Sequence, residues 1–150
     1  MWGERAAAGF FEDVHVLIVV VLGMSIVLGS LAAAFTAHAS ARDAAALRGE
    51  TARVLRAFLA DPEIVHGGEP GLLDLASIEG LNSTHLAGLT GTGRPVQLII
   101  SERSGESPRT FALETADMGP RRASASTAAS VWHSDLDVRA ARVTITLGGQ

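Results

Sequence analysis

Val14-His15-Val16-Leu17-Ile18-Val19-Val20-Val21-Leu22-Gly23-Met24-Ser25-Ile26-Val27-Leu28-Gly29-Ser30-Leu31-Ala32-Ala33-Ala34-Phe35 is a run of 22 residues without one Asp, Glu, Lys or Arg. A helix of that length crosses a hydrocarbon core of about 30 Å at a rise of about 1.5 Å per residue. The run is apolar on every side, and a chain of 150 residues is too small to wrap such a helix inside a soluble core. One transmembrane helix is therefore expected. Ala37-His38-Ala39 has the small-x-small form of a secretory cleavage site, which makes a removable signal the competing reading. Two features oppose it: Glu4, Glu12 and Asp13 outnumber Arg5 ahead of the run, and the run exceeds the usual signal core of about 7–15 residues.

Beyond the run, Ser40 to Ala60 contains no Pro and only Gly49, and is rich in Ala, Leu and Arg. Leu47, Val54 and Phe58 recur at helical spacing, Thr51 fills the gap, and Leu55 and Leu59 widen the stripe. Arg42, Arg48, Arg53 and Arg56 take much of the opposite face. The expectation is one helix that leaves the apolar run and continues as an amphipathic cover until Asp61-Pro62, where proline forces its predecessor out of the α region. From Glu12 to Leu59 it would measure about 70 Å.

The remaining chain changes period. Val65 to Gly71 reads as a loop, and Leu72–Glu79 and Ser83–Leu89 read as short helical turns, the second with Asn82 as N-cap. Val96, Leu98 and Ile100 alternate with Gln97 and Ser101, and Thr110 to Thr115 forms a second run after the turn-rich Arg103 to Pro108, so the two predict a hairpin. Met118–Ser130 is Ala/Ser-rich and reads as a loop or irregular strand. In Val138–Leu147, Val143, Ile145 and Leu147 face one way and Arg142, Thr144 and Thr146 the other. Three or four antiparallel strands with one apolar face, covered by the helix, make the fold class α+β. The boundaries expected are an N-terminal segment 1–13, a transmembrane helix 14–35, its amphipathic continuation 36–61, a loop region with short helices 62–94, and an antiparallel β domain 95–150.

Composition removes several functions. With no Cys there are no disulfides, thiolate metal sites or Cys nucleophiles. The net charge of −4 is spread without a basic patch, so nucleic acid is not an expected partner. Neither a Gly-x-Ser-x-Gly elbow nor a phosphate loop is present, since Gly88-x-x-Gly91-x-Gly93 lacks the following Lys-Ser/Thr. His133, Asp135 and Asp137 would share a strand face at alternate positions, but three scattered ligands read better as a solvated face than as a metal site. No cofactor, metal or enzymatic activity is expected.

What stands out instead is spacing within the apolar run. Ser25, Gly29, Ala33 and Ala37, with Ala41 beyond, form an unbroken ladder of small residues four apart, the arrangement that lets helix backbones approach in lipid. Glu12 and Asp13 form an N-terminal acidic cap, placed to complement the positive end of the helix. Asn82-Ser83-Thr84 is a glycosylation acceptor pattern, informative on the outer side of a membrane.

Acidic Phe10-Phe11-Glu12-Asp13, an immediate apolar helix, an amphipathic continuation and a small β-rich C-terminal part together resemble a type IV pilin or pseudopilin, especially the pilin-like envelope proteins of archaea. The stretches Gly71 to Leu75, Leu81-Asn82, Pro95 to Ile100 and Ala140 to Leu147 are similar to the later part of such proteins. Gly9-Phe10 falls where that family's leader junction would lie, with Glu12 third after it rather than fifth. The resemblance implies a non-enzymatic, single-pass cell-membrane subunit that assembles with like or related subunits through its apolar helix in a pilus or secretion-type envelope structure. The alternative is a membrane-anchored binding or sensory module whose helix is only a tether. Arg42, Arg48 and Arg53 against Arg5 would place the C-terminal domain inside by the positive-inside rule. The rule weakens for a long domain whose arginines are interleaved with Asp43, Glu50 and Asp61, and the resemblance implies an extracytoplasmic domain.

Overall fold

The computed structural model describes residues 3–91, 93–103 and 108–149, with side chains from residue 14 onward, Thr90 excepted. Its first element, α1 (Gly3–Leu59), is a 57-residue helix. The chain divides into two compact units, Met1–Asp43 and Ala44–Gln150.

In the first unit the apolar run of the helix is uncovered among the described residues. Every large apolar side chain from Val16 to Phe35 is exposed, and the most apolar window of the helix has a mean hydropathy of 2.7 with no residue buried. One helix near the N-terminus is thus long and apolar enough to cross a membrane. The four hydroxyls of this unit all bond back to their own helix: Ser25 Oγ donates to the Val21 carbonyl at 2.8 Å, Ser30 to Ile26 at 2.8 Å, Thr36 to Ala33 at 2.9 Å and Ser40 to Ala37 at 2.9 Å. Such back-bonding satisfies each hydroxyl's donor without water.

In the second unit the end of α1 becomes a core element. Thr51, Val54, Leu55 and Phe58 are buried, with Leu47 and Leu59 partly so, the stripe that the sequence spacing picks out. Thr51 stays apolar-compatible because its hydroxyl donates to the Leu47 carbonyl at 2.7 Å. The helix stops at Leu59, and the Asp61 carboxylate accepts from the Glu63 amide at 3.0 Å around Pro62. A 3-10 turn at His66–Gly68 leads to β1 (Leu72–Asp74), α2 (Leu75–Glu79), α3 (Ser83–Thr90), β2 (Val96–Glu102), β3 (Arg109–Glu114), β4 (Arg122–Ser134) and β5 (Asp137–Gly148).

The strands form one five-stranded sheet in the order β1-β4-β5-β2-β3. The fold class is α+β, but the sheet is mixed rather than antiparallel throughout, because β1 runs parallel to β4, Leu73 beside Val131. This corrects the helical reading of Leu72–Glu79: its first three residues alternate, Leu73 alone being fully buried, and Asp74 then caps α2 by accepting from the Ala76 amide at 3.3 Å. The β2–β3 hairpin pairs Gln97 with Glu114 through Glu102 with Arg109. The Ala/Ser-rich stretch becomes β4, thirteen residues long and paired with β5 over nearly its whole length. Its small side chains gave no alternation of size, yet they suit a close helix, since Thr51 Oγ1 reaches within 3.5 Å of the Ala123 carbonyl.

Val96, Leu98, Ile100, Val143, Ile145 and Leu147 share the buried face with Val54 and Phe58. Gly148 permits the tight end of β5: a Cβ there would lie 2.7 Å from the Met118 carbonyl oxygen. Phe58 is fully buried, so Phe58→Ala is expected to destabilise the sheet unit by about 3–5 kcal/mol. Phe35→Ala, at an exposed position, should leave its unfolding unchanged; chemical denaturation of the two variants checks the contrast.

Candidate functional site

Two regions hold the residues to which function can be assigned: the exposed half of α1, and the polar end of the sheet. On α1, Ser25, Gly29, Ala33 and Ala37 are all exposed. A Cβ added at Gly29 would meet nothing within 4 Å, so no contact within the chain requires glycine there. Steps of four residues advance about 40° around a helix of 3.6 residues per turn, so the ladder is a slightly inclined ridge of the kind that seats against a second helix. Glu12 and Asp13 fall within α1, but their side chains lie outside the described ones.

Asn82 caps α3: its side-chain oxygen accepts from the His85 amide at 2.8 Å, and the residue is exposed. That cap brings His85 between two carboxylates, its Nε2 2.9 Å from Asp61 and its Nδ1 3.2 Å from Glu63. The turn that ends α1 is thereby tied to the start of α3. Arg94 Nε lies 3.2 Å from Glu50 on α1, a second tie of the same kind.

At the far end of the sheet's core face, Glu102 and His133 meet, Oε2 to Nε2 at 3.2 Å, with only 6% and 10% of their side chains exposed. The expected strand face of His133, Asp135 and Asp137 does not form, because the chain turns at Asp135-Leu136 and leaves His133 on β4 and Asp137 on β5. His133 instead takes Glu102 as its partner, while Arg139 holds Asp137, with Nε at 3.0 and 3.1 Å and Nη2 at 2.7 Å. Among the described residues no group of three or more His, Cys, Asp and Glu converges on a metal position. Glu102 went unnoticed in the sequence although the signal was there. The alternation Val96, Leu98, Ile100, continued one step, points it inward.

Compared with protein-family models, curated proteins and solved structures, the chain matches none.

The hydrogen bonds from Arg139 hold the Asp137 carboxyl below its ordinary value of 3.8; slight desolvation opposes this, and the charges of Arg139 and His133 reinforce it. The reciprocal bond raises Arg139. A carboxyl depressed by folding stabilises the folded state above its ordinary pKa, and that contribution disappears as the pH falls through the lowered value. Carboxyl carbon NMR should therefore show Asp137 titrating below an ordinary aspartate, and Arg139→Gln should raise its midpoint. An unchanged midpoint in that variant would refute the assignment.

Proposed function

We propose that this chain is a non-enzymatic, single-pass membrane subunit of pilin or pseudopilin type, which assembles with like or related subunits through the small-residue ridge of α1. The observation that carries the reading is one continuous helix in two chemical halves. Residues 16–35 expose every large apolar side chain, and residues 47–59 are built into the core of a small sheet unit. An exposed apolar surface of that extent needs lipid or another helix against it. The ladder Ser25/Gly29/Ala33/Ala37 supports the helix as well as the lipid, since a plain tether has no use for an unbroken ridge of small residues. The sheet unit is assigned to the extracytoplasmic side, with Asn82 exposed there as a glycosylation acceptor.

Gly29→Leu tests assembly directly. Beyond its own helical turn, a Cβ there would meet nothing within 4 Å, and Leu favours insertion, so the substitution is aimed at a neighbouring helix. Disulfide crosslinking between single-cysteine variants at Ser25 or Ala33 should fall severalfold in the Gly29→Leu background. Unchanged crosslinking would reduce the helix to a tether and favour the anchored binding module instead.

Orientation has an equally direct measurement. The chain has no native cysteine, and Leu136 at the β4–β5 turn is fully exposed. Leu136→Cys should react with a membrane-impermeant maleimide on intact cells. Reaction only after lysis would place the sheet unit in the cytoplasm and overturn the pilin-type reading.

A further inference from the structure

The polar end of the sheet carries a second feature that assembly does not use. Register places Ile100 opposite Phe111 and Glu102 opposite Arg109, so these four residues share the core face at the outer edge of the sheet. Leu75, Ile78 and Glu79 of α2 close over them, and the result is a cavity of about 190 Å³. Leu75, Ile78, Ile100 and Phe111 give it an apolar side, Glu79, Arg109 and Thr110 line the rest, and its one buried charged residue is Glu102.

The disposition of that carboxylate is unusual. Glu102 forms no ion pair with Arg109, its neighbour across the strands. It turns Oε2 to His133, while Oε1 accepts no hydrogen bond from any described residue and yet is not a sealed, unsatisfied atom. A buried carboxyl group that lines the cavity, with one oxygen held by His133 and the other without a described partner, favours a cation there, because buried charge is costly unless paired.

The geometry points to a binding site for a small primary amine, an alkylammonium whose charged head meets Glu102 Oε1 and whose aliphatic stem lies between Ile78, Ile100 and Phe111. Three arguments select this class. A guanidinium presents a planar fork that matches both carboxylate oxygens, and one of these is already taken by His133; an ammonium is a point charge that one oxygen serves. A hard divalent ion takes six or more oxygen ligands, and no third protein ligand converges here among the described residues. The Phe111 ring on the wall adds an aromatic surface suited to the carbons beside an ammonium. At the mouth, exposed Arg109 offsets exposed Glu79 and repels a second positive charge, which favours a monoamine over a polyamine. The chain contains no lysine, so no lysine side chain of a second copy can fill the site.

The test uses the full chain in lipid nanodiscs with isoleucine methyl groups isotopically labelled, Ile78 and Ile100 reporting from the cavity wall. Titration with n-butylammonium should move both signals saturably, with a dissociation constant in the millimolar range suited to so small a ligand. n-Butanol and n-butyrate, of the same length, should bind at least about tenfold more weakly, the difference that a charge-assisted bond supplies. Glu102→Gln should remove that preference for the ammonium. The comparison of three probes on the unaltered chain needs no variant, so it decides the matter even if Glu102→Gln disturbs folding. A blocked lysine, Nα-acetyl-lysine methylamide, separates the two sources of the same chemistry. Binding tighter than that of n-butylammonium assigns the amine to a partner's lysine, and weaker binding assigns it to a free small molecule. An equal response to butanol and butylammonium, or no response to butylammonium, would overturn the proposal. Neither outcome would touch the assembly reading, which rests on α1.

Discussion

A sheet with one apolar face cannot stand in water alone, and here the last four turns of α1 cover it. Val54 and Phe58 join Leu98, Ile100, Val143 and Ile145 in a single core, and the other features of the sheet unit follow from that contact. β4 is built of Ala, Ser and Thr where the helix comes close. Leu73 brings β1 into the same core as a parallel strand. The hydrogen-bonding contact of His85 with Asp61 and the ion pair of Arg94 with Glu50 tie neighbouring segments to the same helix at its end and along its side. Remove the helix and the buried face of β2 and β5 would be an exposed apolar patch, an aggregation surface rather than a domain.

The two halves of α1 answer to different solvents. Between residues 16 and 43 every hydroxyl is bonded within the helix and every large apolar side chain is exposed. Between residues 47 and 59 the apolar residues narrow to a stripe, with arginine elsewhere. A helix bound only to its own domain would have no reason for the first pattern, and a helix serving only as an anchor would have none for the second. Combining them ties whatever restrains the apolar half to the stability of the sheet unit. The proposed assembly through the Ser25/Gly29/Ala33/Ala37 ridge would use the first half of this helix and leave the second to the sheet unit.

The sheet is asymmetric in polarity along its strands. One end is closed by Val96 and Leu147, and the other by Glu102, His133, Asp137 and Arg139, which form two pairs. Half-buried Asp137 and Arg139 form a bidentate pair. Buried Glu102 shares one bond with His133 and also lines the cavity beneath α2. The proposed amine site rests on this contrast between a bidentate pair and a carboxyl group with a single bond.

Local pattern was enough to establish much of this protein. An uncharged run of 22 residues, the stripe Leu47/Thr51/Val54/Phe58, the stop at Asp61-Pro62, the Asn82 cap and the alternation in β2 and β5 each depend on neighbours within a few positions. Periodicity and capping are local physics, so they can be read directly. Three features depended on contacts between distant segments. Leu72–Asp74 became a strand only because β4 offered it a parallel partner. Arg122–Ser134, with little contrast in side-chain size, became a strand because β5 paired with it. Glu102 and His133 met because strand order brought β2 and β4 to either side of β5. Backbone pairing and the pairing of buried charges are satisfied by whichever group the topology delivers. They were therefore decided by the tertiary structure, while the helix that anchors the fold was already decided by its own residues.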